Sequence, residues 1–174
     1  MKAYTLDPDE VMFTSDHHFG HSNIIKYCSR PFTDVHHMNV EMTKKWNEAV
    51  RPDQTVFHLG DFSFGHTPDY LDRLNGNVIL IRGNHDKIKD LQYFHEVHDL
   101  AEVIVGKQRV ILCHYRMDVW NQSYRGAWHL HGHSHGRLQP RLDKKVIDIG
   151  VDSWKFSPVT FWEIEGVMEH HGQE

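Results

Sequence analysis

Short apolar runs, each stopped by a cluster carrying histidine or aspartate, constrain this chain more than any other feature. Thr55-Val56-Phe57-His58-Leu59 delivers Gly60-Asp61, and Asn77-Val78-Ile79-Leu80-Ile81 delivers Arg82-Gly83-Asn84-His85-Asp86. The second run is continuously apolar, as expected of a parallel strand covered on both faces. Val11-Met12-Phe13-Thr14 ends at Ser15-Asp16, Val110-Ile111-Leu112-Cys113 at His114, and Trp128-His129-Leu130-His131 just before Gly132-His133-Ser134-His135. Ligands of α/β sheets gather where strands end, so five such clusters predict one site.

Between these runs the spacing is helical. Asp34 opens a predicted helix whose apolar residues Val35, Met38, Met42, Trp46 and Ala49 fall on one face, ending before Arg51-Pro52. Thr67-Pro68 reads as an N-cap with proline at the first helical position, followed by Leu71 and Leu74, and a further helix is predicted near Lys87 to Phe94. Beyond that the pattern turns to β: Ala101 to Val105 and Arg109 to Leu112 form a hairpin around Gly106-Lys107-Gln108. Lys145 to Ile149 and Val159 to Ile164 read as two more strands. The expectation is a single domain over residues 1–174, α/β in class, with two packed sheets and helices outside them.

Composition narrows the partners. At 174 residues the chain can bury a core without staples, and no apolar run approaches the ~20 residues of a membrane span. Met1 to Pro8 reaches acidic and proline residues too soon for a secretory signal, so a cytoplasmic location is expected, with no membrane partner and with Cys28 and Cys113 both free. A net charge of −5 disfavours long nucleic acid. Histidine is the outlier at 17 residues. Isolated members such as His36, His37, His66, His95 and His98 are read as surface or structural; those in the clusters carry the argument.

Asp16 and His18 stand two apart, as do His133 and His135, so each pair can present both side chains to one cation. Asp61 has oxygens enough to bridge two cations, Asn84 offers an amide oxygen, and His114 an imidazole. This oxygen and nitrogen set suits manganese first, with zinc, iron, nickel or cobalt as alternatives, and without thiolate it is no structural cysteine site.

In this order, Asp16-x-His18, Gly60-Asp61, Gly83-Asn84-His85-Asp86, His114 and Gly132-His133-x-His135 resemble the calcineurin-like metallophosphoesterase superfamily. The resemblance implies a four-layer α/β/β/α sandwich, two mixed sheets with flanking helices, around two divalent metal ions. It gives Asp16, His18 and His135 to one metal, Asn84, His114 and His133 to the other, and Asp61 to both as the bridge. It makes His85 a substrate-facing catalytic residue, a leaving-group acid, with Asp86 beside it to orient its ring or raise its pKa. The activity implied is hydrolysis of small phosphoesters, diesters favoured over monoesters, by direct attack of a metal-bridging hydroxide.

Beyond the clusters, His21 and Arg82 are candidate substrate contacts, Tyr115-Arg116 and Trp120 candidate pocket walls, and Asp148 and Asp152 candidate supports of the ligands. After Gly60-Asp61 comes Phe62-Ser63-Phe64, not the continuation of the protein serine/threonine phosphatases. Two other readings compete. One is a non-catalytic scaffold of the same fold that binds a partner protein. The other is a metallo-β-lactamase-like hydrolase built on His131-x-His133-x-His135, although Gly136-Arg137 follows where that motif has Asp-His.

Overall fold

A computed structural model describes residues 3–141 and 143–170, so Met1 and Lys2 of the amino-terminal stretch lie outside it. The strands are β1 (Ala3–Leu6), β2 (Val11–Thr14), β3 (Thr55–His58), β4 (Asn77–Ile81), β5 (Glu96–His98), β6 (Leu100–Val105), β7 (Gln108–Cys113), β8 (Trp128–His131), β9 (Val146–Asp148) and β10 (Val159–Thr160). The α-helices are α1 (Ser22–Tyr27), α2 (Val35–Ala49), α3 (Thr67–Leu71) and α4 (Phe161–Met168).

They form two mixed five-stranded sheets, ordered β10-β2-β3-β4-β5 and β1-β6-β7-β8-β9. In the first sheet β2 to β5 run parallel and β10 is antiparallel to β2. In the second, β6 and β7 are the antiparallel hairpin and β7, β8 and β9 are parallel. The sheets face each other across one core in which Phe13, Phe57, Leu59 and Ile81 meet Val103, Leu112, Trp128 and Leu130. Alternation along each strand sends the remaining side chains outward, which is why Val78 to Ile81 of β4 is apolar at every position. Met12, Val56, Val78 and Leu80 thus form a second cluster with Met38, Met42 and Trp46 of α2. Outside the second sheet, Ile111 and Val146 pack against Trp120 and Ala127 of the segment after β7.

Helix α2 matches its prediction, and the Asp34 carboxylate accepts the His37 N–H at 2.8 Å as its cap. Four expectations are corrected. The run Val159 to Ile164 is strand only as far as Thr160, where the Thr160 hydroxyl and Glu163 carboxylate form a capping box that starts α4. The segment near Lys87 to Phe94 is a 3-10 helix, Ile88–Tyr93. Helix α3 has His66 at its N-cap position without a side-chain cap bond and ends at Leu71, and the Thr67 hydroxyl bonds that of Ser63 at 2.8 Å. Finally β1, unpredicted, runs parallel to β6 as an edge strand of the second sheet.

Among the described residues no helix is long and apolar enough to cross a membrane, and Cys28 and Cys113 are free.

Candidate metal centre

Parallel pairing carries on past the strand ends and places the clusters side by side. Beyond β2 and β3 the Asp16 N–H donates to the Gly60 carbonyl, that of His18 to Asp61 and that of Phe19 to Phe62, at 3.0, 3.0 and 2.9 Å. Within the second sheet the Gly132 N–H donates to the His114 carbonyl, and across the sheets the His133 N–H donates to Asp16 Oδ2. The backbone bends sharply to do this. Asp16, His18, Asp61, His133 and His135 all have positive φ, between 49° and 66°, five of the nine such non-glycine residues among those described. Each left-handed residue costs on the order of 1–3 kcal/mol, and such strain concentrates at functional sites. Close approach also fixes Gly132, where an added Cβ would overlap Ser15 Oγ and Asp16 Oδ2.

The structure brings the sequence-predicted ligands into two groups, in each of which the ligating atoms lie within 4.8 Å of one another: Asp16, His18 and His135, and Asp61, His114 and His133. Asn84 joins the second, its Oδ1 lying 3.2 Å from His114 Nε2. Asp61 connects the two, with Oδ2 at 3.6 Å from both His18 Nε2 and His114 Nε2. Its other oxygen accepts the His85 N–H at 2.9 Å.

Neighbours fix the imidazoles. His114 Nδ1 lies 2.7 Å from the Leu59 carbonyl, and His135 Nδ1 lies 2.7 Å from Asp152 Oδ2; a proton on each Nδ1 leaves Nε2 as the free donor atom. Burial pushes the Asp16 carboxyl well above the usual carboxylate range, reinforced by Asp61, and pushes the His18 and His114 imidazoles below theirs. Asp16 Oδ1 and both His18 nitrogens are buried without a hydrogen-bond partner. A buried carboxylate oxygen and a neutral imidazole left unpaired together are what a divalent cation would satisfy.

Sequence reasoning missed Arg30. Its buried guanidinium grips Asp152 through two bonds of 2.8 Å and donates to the carbonyls of His17 at 2.8 Å and Asp16 at 2.7 Å. One cation thereby holds the Asp16-His17-His18 turn and, through Asp152, the His135 ring. Burial alone would raise the Asp152 carboxyl, but His135 and Arg30 together leave it lowered. Asp148 accepts the N–H groups of Gly136 and Gly150, at 3.0 and 2.8 Å, so both candidate supports do brace the ligand loops.

Asp86 departs from its expected part. Its carboxylate accepts the N–H groups of Asp61, Phe62 and Gly83, at 2.9, 2.9 and 2.8 Å, and so ties the Asp61 loop to the Asn84 loop; these bonds hold backbone, not the His85 ring. His85 is exposed, its ring 5.7 Å from that of His18 and 5.0 Å from Phe64. His21 stacks on Phe64 at 3.9 Å and lies 5.6 Å from His18. Arg82 pairs with Asp99 at 2.6 Å and lines a cleft beside Asn84 and His114. Tyr115 flanks His114 and His133 at 4.9 and 4.8 Å, whereas Trp120 is buried beneath the second sheet's outer face. His131 is buried and bonds the Gly132 carbonyl through Nδ1, outside both ligand groups.

A sequence model described as the calcineurin-like phosphoesterase superfamily domain matches residues 31–149. The chain belongs to that superfamily. The match takes in Asp61, Asn84, His114, His133 and His135, while Asp16 and His18 precede it, and membership overturns the metallo-β-lactamase alternative. The superfamily is metal-dependent, in keeping with the two ligand groups. An uncharacterized protein of Methanocaldococcus jannaschii is 33% identical over 172 residues, covering 92% of each chain. The gene 66 protein of Mycobacterium phage D29 is 27% identical, over 83% of this chain and 88% of its own. A crystal structure of a protein of unknown function from Aquifex aeolicus superposes with a TM-score of 0.70 at 26% identity, over 90% of this chain and 98% of that one. Relatives of similar length thus match most of this chain, and the Aquifex aeolicus structure shares its fold over 90% of it.

Proposed function

We propose that this protein is a dinuclear-metal phosphoesterase that hydrolyses small phosphodiesters. The observation that carries the reading is Asp61 Oδ2, equidistant at 3.6 Å from one histidine of each ligand group. Asp16, His18 and His135 would hold one cation, Asn84, His114 and His133 the other, and Asp61 both. Two such cations supply charge to bind phosphate oxygens and acidify a water for attack. The oxygen donors of Asp16, Asp61 and Asn84 suit manganese, the favoured metal, and the imidazoles suit zinc, iron or nickel as alternatives.

The remaining groups act on the substrate directly. His85, exposed beside His18 with its backbone N–H bonded to Asp61, would give a proton to the departing oxygen. His21 and Phe64 form a flat wall at that end. At the other end, beyond His114, lie Tyr115 and the cleft of Arg82. A phosphomonoester has one organic group to place and a diester two. Walls at both ends of the metal groups favour the diester.

The purified protein with added Mn²⁺ should hydrolyse bis(4-nitrophenyl) phosphate faster than 4-nitrophenyl phosphate, and D61A should abolish both activities. Absence of turnover with every divalent metal would refute the reading and favour a binding scaffold.

A further inference from the structure

The cleft at the His114 end has a volume of about 480 Å³, within the range of small-molecule sites, and adjoins the second ligand group, whose Asn84 and His114 line it. Its remaining walls are Arg82, Gly83, Asp86, Asp99, Cys113 and Tyr115, and the Asp86 carboxylate is already taken up by three backbone N–H groups. Their chemistry is selective. Tyr115 is 46% exposed, its ring standing against His114 and His133 and its hydroxyl 3.4 Å from Asn84 Oδ1, so an aromatic surface remains open to the cleft.

Arg82 and Asp99 form an ion pair whose side chains are 39% and 76% exposed. An exposed pair contributes little to the fold, so its hydrogen-bonding capacity is open to a ligand at small cost. It also sets the charge. A second phosphate or a carboxylate drawn to Arg82 would meet Asp99 beside it. An uncharged planar ring meets no such conflict: its donors face Asp99, its acceptors face Arg82, and its flat side lies on Tyr115. That combination of edge donors, edge acceptors and a stacking face is the chemistry of a nucleobase. The wall of Phe64 and His21 at the His18 end has no comparable charged pair, which suits a leaving group of varied structure.

The geometry points to a phosphodiester bearing one nucleoside, its base held between Tyr115 and the Arg82–Asp99 pair; the inference rests on the phosphodiesterase reading. In the reaction the water oxygen bonds to phosphorus, and the bond to the leaving oxygen at the His85 end breaks. That oxygen takes the His85 proton as the water proton is released. A nucleoside monophosphate and an alcohol result.

The test compares two esters of one leaving group, thymidine 5′-(4-nitrophenyl) phosphate and bis(4-nitrophenyl) phosphate, with the Mn²⁺-loaded full chain. Stacking of one base predicts a kcat/KM for the thymidine ester about tenfold higher, a ratio that Y115A and D99A should each bring toward unity. Thymidine 5′-monophosphate should likewise inhibit more strongly than phenyl phosphate, and the variants should erase that difference. Equal kcat/KM values in the unaltered protein, or a preference that survives both substitutions, would overturn the nucleoside assignment and leave the phosphodiesterase standing. Hydrolysis of neither ester would remove the phosphodiesterase reading first, and the nucleoside with it.

Discussion

The two ligand groups differ in how they are held. Asp16 and His18 are buried, and Arg30 and Asp152 clamp their turn and the His135 ring from behind. In the second group Asn84 and His133 are exposed, and the rigid element is His114, fixed by the Leu59 carbonyl. The groups are thus chemically similar but mechanically unlike: one is built into the core, the other faces the cleft. A metal in the first should exchange slowly, and under the proposed function the second would take substrate beside it.

Asp61 is where the two groups meet, so its loss should have the largest effect. D61N keeps the shape but removes the shared charge, which should weaken both metals and lower kcat/KM by several kcal/mol of transition-state stabilisation, on the order of a thousandfold. Steady-state kinetics and metal analysis on the same sample check it; retention of two equivalents of metal would show that the groups are independent.

R30M tests the asymmetry itself. Removing the guanidinium strands Asp152 in a buried setting and frees the carbonyls of Asp16 and His17. Loss of such an outer support typically weakens a metal by roughly 10–100-fold, and here the weakening should fall on the first metal alone. Calorimetric titration with Mn²⁺ should then resolve one tight and one weak equivalent. Equal weakening of both would mean that Arg30 stabilises the fold and not one group.

Much of this arrangement could be read from sequence, and the exceptions share a cause. Helix α2, with its Asp34 cap, and strands β4 and β8 carry their own signals. The clusters stood out because each follows an apolar run immediately. Val159 to Ile164 misled because an apolar run reads equally as strand or buried helix, and the capping box of Thr160 and Glu163 decided it. Strand β1 gives no local sign, since its partner β6 begins at Leu100. Arg30 escaped for the same reason: its carboxylate partner is 122 residues away. Contacts between distant segments, which have no spacing, are what the sequence leaves unread.

Acid should act on the two regions at different points. Burial pushes His58, which bonds His17 behind the first group, down to about 3. It pushes His129, which accepts the Met117 N–H and so anchors the segment after Tyr115, down to about 4. Both folded values lie below the unfolded value of about 6.5, so each histidine's contribution is full above that pH and is lost as the pH falls from there to the folded value. For the metal-free protein, stability measured by denaturant should fall as the pH drops below about 6.5, by up to about 1.4 kcal/mol per unit for each such group. The loss from His129 should be complete near pH 4, and that from His58 only near pH 3. H129N should flatten the upper part of this acid limb; an unchanged limb would show that the ring does not resist protonation.

The smallest effect is expected from Y115F. The hydroxyl of Tyr115 is 3.4 Å from Asn84 Oδ1, a long contact next to the bonds of 2.7 and 2.8 Å that Arg30 makes behind the first group. Removing it while keeping the ring should cost the second metal less than about 1 kcal/mol, a factor of about five at most in Mn²⁺ affinity, and should leave the first metal unchanged. If Y115F instead weakened the second metal as much as R30M weakens the first, the open group would possess a support equal to Arg30. The asymmetry between the two groups would then lie in their exposure alone.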